Sequence, residues 1–527
     1  MTEHQVLIAD KLGPAGLELL ETMDDVETTV SLGLAKDELL KIIGGYDALI
    51  VRSATKVDED VIAAGNRLIA VGRAGVGVDN IDVAAATRKG VVVMNTPQAN
   101  SIATAEQAMA LMLAASRHTA RAHASVASGE WARSEFTGIE LAGRTLGIVG
   151  FGRIGREVAR RARAFQMDVL AYDPYVAEQV ARDQSVTLVE LGELLARSDV
   201  VSLHCALSAT TRHLLNATSL STLKKGAIVV NAARGDLIDE DALAVALGSG
   251  HVLAAGLDVF SNEPPTADNP LIGLKNVVHT PHLGASTHEA QRDVALQVVE
   301  QVVEALRGEG IRNSVNFPFQ MGAEMKPWLE LARAMGRLQF AMAPERIERI
   351  EIEAHGDAIE ESVRAVATGT LAGLLSGFLP DSVNLVNAPA LAAEHGIAVA
   401  EAHGIGGRDY PNMISCRVAW QGGERTVSGV VFENREGRIV QVSHYRLDAD
   451  PRGVILVMLS KDMPGVIGEV GTLLGVHKVN IAEWRLGRDQ EGGQALSFIN
   501  LDSPPDTNVI DELRALPAVV KAMVVEL

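Results

Sequence analysis

The chain has 527 residues, too many for one hydrophobic core and enough for roughly three or four domains. Hydrophobic residues make up 47% and charged ones 22%, the balance of a globular chain, and aromatics only 4%. A formal net charge of −20 disfavours nucleic acid and anionic membrane as partners.

The first segment alternates short apolar runs with helical patterns. Strands are predicted at Val6–Ala9, Asp47–Val51, Leu68–Gly72 and Gly90–Met94, with helices over Pro14–Met23, Asp58–Ala64 and Val83–Lys89 between them. This alternation reads as βαβ units around a parallel sheet, and an Ala-, Val- and Gly-rich composition suits it. Asn100-Ser101 is placed to cap a long helix running to about His118, followed by a loop carrying Trp131. A second βαβ series has strands at Thr145–Val149, Asp168–Tyr172, Val200–Leu203, Ala227–Val230 and Gly256–Val259, and ends near His282. A helix over Thr287–Leu306 follows, with Val294, Val298, Val302 and Leu306 at helical spacing. Two α/β series joined by two helices imply two lobes with a cleft.

Asn313 to Pro318 reads as a linker, and the mixed strands and helices to about Asp450 carry no cofactor fingerprint. From Gly453 the order strand, helix, strand, strand, helix, strand suits a ferredoxin-like module. Cys205 and Cys416 lie far apart without CxxC spacing, so neither a disulfide framework nor a cysteine metal site is implied. The opening Met1–Gln5 lacks signal-peptide character, no apolar run is long enough to span a bilayer, and a cytoplasmic setting is expected.

Gly150-Phe-Gly-Arg-Ile-Gly155 is a GxGxxG run that follows a strand and opens a helix, read as Arg156–Phe165. Such glycines permit a tight turn, close approach of a pyrophosphate and close helix–strand packing, while the helix N-terminus presents free N–H groups. Asp173, 18 positions after Gly155, is placed to accept hydrogen bonds from an adenosine ribose and to repel a 2′-phosphate, so NAD is the expected cofactor.

Further blocks, Gly72–Asn80, Asn231–Gly235, Gly256–Phe260 with Glu263-Pro264, and Pro281–Ala285, resemble the D-isomer-specific 2-hydroxyacid dehydrogenase family over residues 1 to about 315. The resemblance implies a cofactor lobe, 98–286, inserted into a substrate lobe, 1–97 with 287–315. It also maps the family's Arg, Glu and His onto Arg234, Glu263 and His282. Oxidising an alcohol beside a carboxylate needs a base, here His282, with Glu263 to fix its tautomer and Arg234 to hold the carboxylate and polarise the new carbonyl. By analogy Arg153 and Ile154 meet the pyrophosphate, Cys205, Ala232 and Ala233 line the adenosine and nicotinamide side, Asp258 sits at the carboxamide, and Gly284 and Ala285 complete the cofactor contacts. Arg234, Glu263 and His282, taken singly, also suit a structural role, and Cys205 suits a small buried apolar one.

Arg52 and Arg73 follow strand ends in the first lobe, where parallel sheets present ligand contacts, and two such cations in an acidic chain suit a substrate phosphate. Surface salt bridges are the other reading of them. Asn100 is expected to add a hydrogen bond. The final segment, with Lys461–Gly468 and Asn480-Ile481, resembles an ACT domain (453–527), reached through an intervening domain (316–452). In it Asp462 and Asn480 are placed to hold an amino acid's α-amino group, although a purely dimerising role stays open. Together these parts resemble the family's long form, which oxidises 3-phospho-D-glycerate at the start of serine synthesis and is often regulated by L-serine. Ser460 stands where some serine-responsive members carry an aromatic. A hydroxypyruvate or glyoxylate reductase and an NAD-sensing interaction protein are the alternatives. A homodimer or homotetramer is expected, with the Trp131 loop at the contact and Arg133 reaching a neighbour's site.

Overall fold

The computed structural model describes residues 4–317, 319, 324–343, 345–356, 359, 362–379, 383–403, 410–433 and 435–527. Pro318, the end of the expected linker, and Met1–Glu3 lie outside the described residues. The fold is α/β in its first two lobes and α+β beyond them, as expected.

The first sheet is wholly parallel, in the order Val26–Val30, His4–Ile8, Ala48–Val51, Ala70–Arg73, Val92–Met94. That is the flavodoxin-like order, with its switch point between the strands ending at Ile8 and Val51. Its central strand, Ala48–Val51, is buried at every position, because helices cover both faces. The sequence reading missed the edge strand Val26–Val30. Only Val26 is buried there, so it carries little apolar signal.

The second sheet is also parallel and has the Rossmann order, with Thr145–Val149 beside Val200–Leu203 at its switch point. Its sixth strand runs Val252–Leu257, earlier than expected, and Val277–His279 adds a seventh. Two helices join the lobes. Ser101–Arg117 packs on the second lobe through Ala105, Ala108 and Met112. His288–Leu306 returns to the first, where Val294, Val298, Val302 and Leu306 are all buried, as their spacing predicted. The stretch after Arg117, read as loop, begins with a further helix, Thr119–Ala127, with no buried residue, and Trp131 beyond it is 83% exposed.

Among the described residues the third sheet has six strands, with Ile347–His355 parallel to Ala398–His403 and the remaining pairs antiparallel. Helices Lys326–Met342 and Val363–Leu375 approach so closely that a Cβ on Gly336 would lie 2.1 Å from the Thr370 carbonyl oxygen. Asn384 Nδ2 donates to the Gly90 carbonyl at 2.8 Å, which ties this region to the first lobe. The last sheet, ordered Ile481–Arg488, Gln494–Leu501, Val454–Lys461, Val519–Glu526, is the antiparallel ferredoxin-like arrangement expected. Ile455, Val457, Leu496 and Phe498 join the apolar cluster of the third sheet and its helices, so one face of the last sheet packs on that unit while Leu456, Met458 and Ile499 on the other face form a core with its own helices.

Candidate active site

The two switch points face each other across a cleft of about 620 Å³. On the second lobe each fingerprint glycine has its own reason. Gly150 has φ +93°, and a Cβ there would lie 2.5 Å from the Cys205 backbone nitrogen. A Cβ on Gly155 would lie 2.2 Å from the Gly150 carbonyl oxygen, while Gly152 faces open space. The helix starts at Arg153, three residues before the expected start, because Gly152 itself is the N-cap. Its first N–H groups therefore fall within the glycine loop, where phosphates bind. Asp173 is held by the same loop, with Oδ2 accepting from Phe151 N–H at 2.8 Å and Oδ1 from Tyr175 N–H at 2.9 Å, and keeps lone pairs for a ribose. An open cradle, a helix N-terminus and an oriented carboxylate are the parts a dinucleotide requires, so NAD fits this lobe.

Ile154, Cys205, Ala232, Ala233, Gly284 and Ala285 line the cleft as expected. Burial pushes the Cys205 thiol up to about 11, so it is a neutral packing group there. The neighbouring His204, whose Nε2 meets Ser202 Oγ at 2.8 Å, is pulled down to about 4 by burial and is neutral at pH 7.

His282 Nδ1 lies 2.6 Å from Glu263 Oε2. Burial opposes the charge of Glu263, but its hydrogen bond with His282, then that ring's charge and the Phe260 N–H, outweigh it and hold the carboxyl below its ordinary range. The ionised carboxylate keeps the ring's proton on Nδ1, so Nε2 is the free nitrogen. Asp258 lies directly behind Gly284, a residue of the cleft lining. It has 0% exposure, outside the cleft lining, and accepts from Thr280 Oγ1 at 2.5 Å, Leu283 N–H at 2.7 Å and Gly284 N–H at 2.8 Å. These bonds hold the turn on which His282 sits with φ +54°. Gln107, unnoticed in the sequence, supports that turn through Thr280 Oγ1 at 2.9 Å.

Both lobes bring cations to the cleft. Arg52, Arg73 and Arg234 all line the cleft. Burial, then the charges of Arg234 and Arg52, pull the Arg73 guanidinium down to about 10, which leaves it charged at neutral pH. Its Nε is buried without a hydrogen-bond partner, and so is Asn100 Oδ1. Asn100 does occupy the N-cap position, but its side chain makes no capping bond. Unsatisfied buried polar atoms aimed at a cleft signal a ligand, since each otherwise costs about 1–3 kcal/mol. Gly75, Gly77 and Asp79 also line the cleft, and Gly-x-Gly-x-Asp directly after a strand end was the signal for them.

In the last unit, Asp462 Oδ2 accepts from Gly492 N–H at 3.1 Å, and Asn480 Nδ2 donates to Asp502 Oδ2 at 2.7 Å. Each therefore already has a partner within the unit. Ser460 is buried, on the strand Val454–Lys461.

A Rossmann lobe that carries Arg234 and a paired histidine and faces Arg52 and Arg73 defines a nicotinamide-dependent dehydrogenase acting on an anionic hydroxy acid. Comparison with known proteins agrees. Family models match for the D-isomer specific 2-hydroxyacid dehydrogenase NAD binding domain over 109–284, the D-3-phosphoglycerate dehydrogenase intervening domain over 324–443 and the ACT domain over 454–518. A D-3-phosphoglycerate dehydrogenase from Archaeoglobus fulgidus is 41% identical over 99% of this chain and 100% of its own. One from Methanocaldococcus jannaschii is 42% identical, again over 99% of this chain and 100% of its own. Among solved structures, a glyoxylate reductase from Paecilomyes thermophila aligns with TM-score 0.56 and 35% identity, covering 60% of this chain and 99% of that one. The chain belongs to the D-3-phosphoglycerate dehydrogenase family, the long form with intervening and ACT domains within the D-isomer specific 2-hydroxyacid dehydrogenases.

Proposed function

We propose that the chain oxidises 3-phospho-D-glycerate to 3-phosphooxypyruvate with NAD, reversibly, as the first step of L-serine synthesis. The observation that carries this is the gathering of Arg52, Arg73 and Arg234 on one cleft that also holds the His282–Glu263 pair. Cations gathered on one cleft of an acidic chain favour an anionic ligand there, and this substrate carries a phosphate at one end and a carboxylate at the other. The full-length likeness to enzymes of that name supports the same substrate.

Bound NAD supplies the two-electron acceptor for the C2–H bond. Gly150, Gly152, Arg153, Ile154 and Gly155 hold its pyrophosphate, Asp173 its ribose, and the residues around Cys205 and Ala232 its flanks. His282 takes the hydroxyl proton on Nε2. Glu263 keeps Nδ1 protonated and stabilises the imidazolium that results. Arg234 draws charge from the forming carbonyl and orients the carboxylate, while Arg52 and Arg73 hold the phosphate and Asn100 a further hydrogen bond. Asp258 acts through the turn it anchors.

The same reading divides the chain at 1–97 with 287–315, 98–286, 316–452 and 453–527. It makes the assembly a cytoplasmic homodimer or homotetramer with L-serine as effector at Asp462 and Asn480. Among the described residues no helix is long and apolar enough to cross a membrane. The test is steady-state NADH formation with 3-phosphoglycerate, D-glycerate and D-lactate in parallel, with L-serine added separately. Turnover confined to the phosphorylated acid is expected. Equal activity on D-glycerate would return the chain to the glyoxylate and hydroxypyruvate reductases.

A further inference from the structure

Arg234 belongs to the second lobe, at the turn after the strand Ala227–Asn231, but its guanidinium is gripped by the first. Its Nε donates to Asp79 Oδ2 at 2.8 Å, across 155 residues of sequence. Its Nη1 donates to its own lobe, to the Ala233 carbonyl at 2.6 Å. Its Nη2 lies directly over Gly77, where a Cβ would be 1.6 Å away. Gly77 does not need to be glycine for its backbone, since its φ is not in the left-handed region, so the missing side chain serves to make room. The Asp79 side chain is 62% exposed, so packing does not explain its presence in a cleft that also holds Arg52, Arg73 and Arg234.

We propose that Gly77 and Asp79 form a seat on the first lobe that fixes Arg234 in the orientation from which it holds the hydroxyacid carboxylate, which makes Asp79 a positioning residue for the reaction. With Nε and one N–H of Nη1 taken, the guanidinium keeps the two N–H groups of Nη2 and one of Nη1 to meet a ligand, and the seat fixes where they point. A flexible arginine loses rotamer entropy when it binds, and a guanidinium held in advance has less left to lose. The adjacent Asn80 donates to the carbonyls of Arg52 at 2.8 Å and Thr55 at 2.6 Å, so two neighbouring residues set the spacing between the carboxylate and phosphate ends of the site. This inference rests on reading Arg234 as the carboxylate ligand.

The test uses the full chain carrying Asp79→Ala, Asp79→Asn, Gly77→Ala, Arg234→Ala, or Asp79→Ala with Arg234→Ala. Turnover is assayed at saturating NAD, and 3-phosphoglycerate is titrated calorimetrically into the NADH-loaded enzyme where turnover is too slow. Asp79→Ala is expected to raise the KM for 3-phosphoglycerate about tenfold with the KM for NAD within about twofold of the parent. Asp79→Asn is expected to recover most of that loss, because the amide oxygen still accepts the Nε–H. Gly77→Ala is expected to match Asp79→Ala without lowering the melting temperature, since the atom it meets is the end of a flexible side chain. Adding Asp79→Ala to Arg234→Ala is expected to change nothing further. The proposal is overturned if Asp79→Ala leaves the KM within about twofold or lowers it, or if the two losses add in full. Arg234→Ala with parental affinity and turnover would instead remove the reading of Arg234 on which the seat depends.

Discussion

Replacing Arg73 by glutamine separates recognition of the phosphate from recognition of a hydroxyacid in general. In the free protein Arg73 is under electrostatic load: burial and the charges of Arg234 and Arg52 bring it down to about 10, and its Nε has no partner. At about 1.4 kcal/mol per tenfold in proton affinity, that load amounts to at most roughly 3 kcal/mol. The sign follows from the direction. A cation whose affinity for its proton is lower folded than unfolded destabilises the fold while it is charged, and that cost fades only as pH rises through about 10. At neutral pH Arg73→Gln therefore relieves part of the load, offset by poorer packing, and the ligand-free melting temperature is expected to rise by about 1–3 °C. A dianion gives Arg73 the partner it lacks. A charge-assisted hydrogen bond contributes about 2 kcal/mol, so the variant should lose roughly thirtyfold in KM for 3-phosphoglycerate and little for D-glycerate. The assay is initial-rate NADH formation with both acids, beside thermal melts with and without 3-phosphoglycerate. Equal losses on the two acids, or a ligand-free protein that melts several degrees lower, would refute the reasoning and make Arg73 a structural residue.

Three other changes read other parts of the site. Glu263→Gln removes the charge facing His282 Nδ1; with the two side chains 38% and 45% exposed, the bond contributes about 1–2 kcal/mol, and kcat should fall roughly tenfold at constant KM for the acid. Asp173→Ser should lower kcat/KM with NAD about tenfold while raising it with NADP, measured by parallel cofactor titrations. Gly155→Val places side-chain carbon against the Gly150 carbonyl, a backbone group unable to move aside, so both NAD binding by fluorescence and the melting temperature should fall.

What the sequence made legible was local. The GxGxxG spacing, Asp173 after the next strand and the valines of His288–Leu306 are read within one turn or one βαβ unit, and each falls in the structure where that short-range geometry puts it. What local pattern does not reveal involves partners distant along the chain. Nothing beside Asp258 in sequence reveals that it accepts from the N–H groups of Leu283 and Gly284, 25 and 26 residues on. Asn100 was read partly as a cap, whereas its side chain makes no capping bond. The grip of Asp79 on Arg234 joins two segments that no periodicity relates. Missed elements such as Val26–Val30 and Thr119–Ala127 lie at the surface, where burial imposes little pattern.

The return of His288–Leu306 to the first lobe bears on how the protein is made. Val302 and Val298 methyls lie 2.6 and 2.8 Å from where a Cβ on Gly72 would stand, so this helix covers one face of the first sheet, and Arg307 pairs with Asp25 across 282 residues. A ribosome delivers the five strands of that sheet, through Met94, long before it delivers the helix that covers them. At roughly 5–20 residues per second, the interval is about 10–40 s. The inserted lobe is contiguous and completes its own sheet within that time. The N-terminal segment is thus synthesised first and finished second, with an apolar face open to chaperones while it waits.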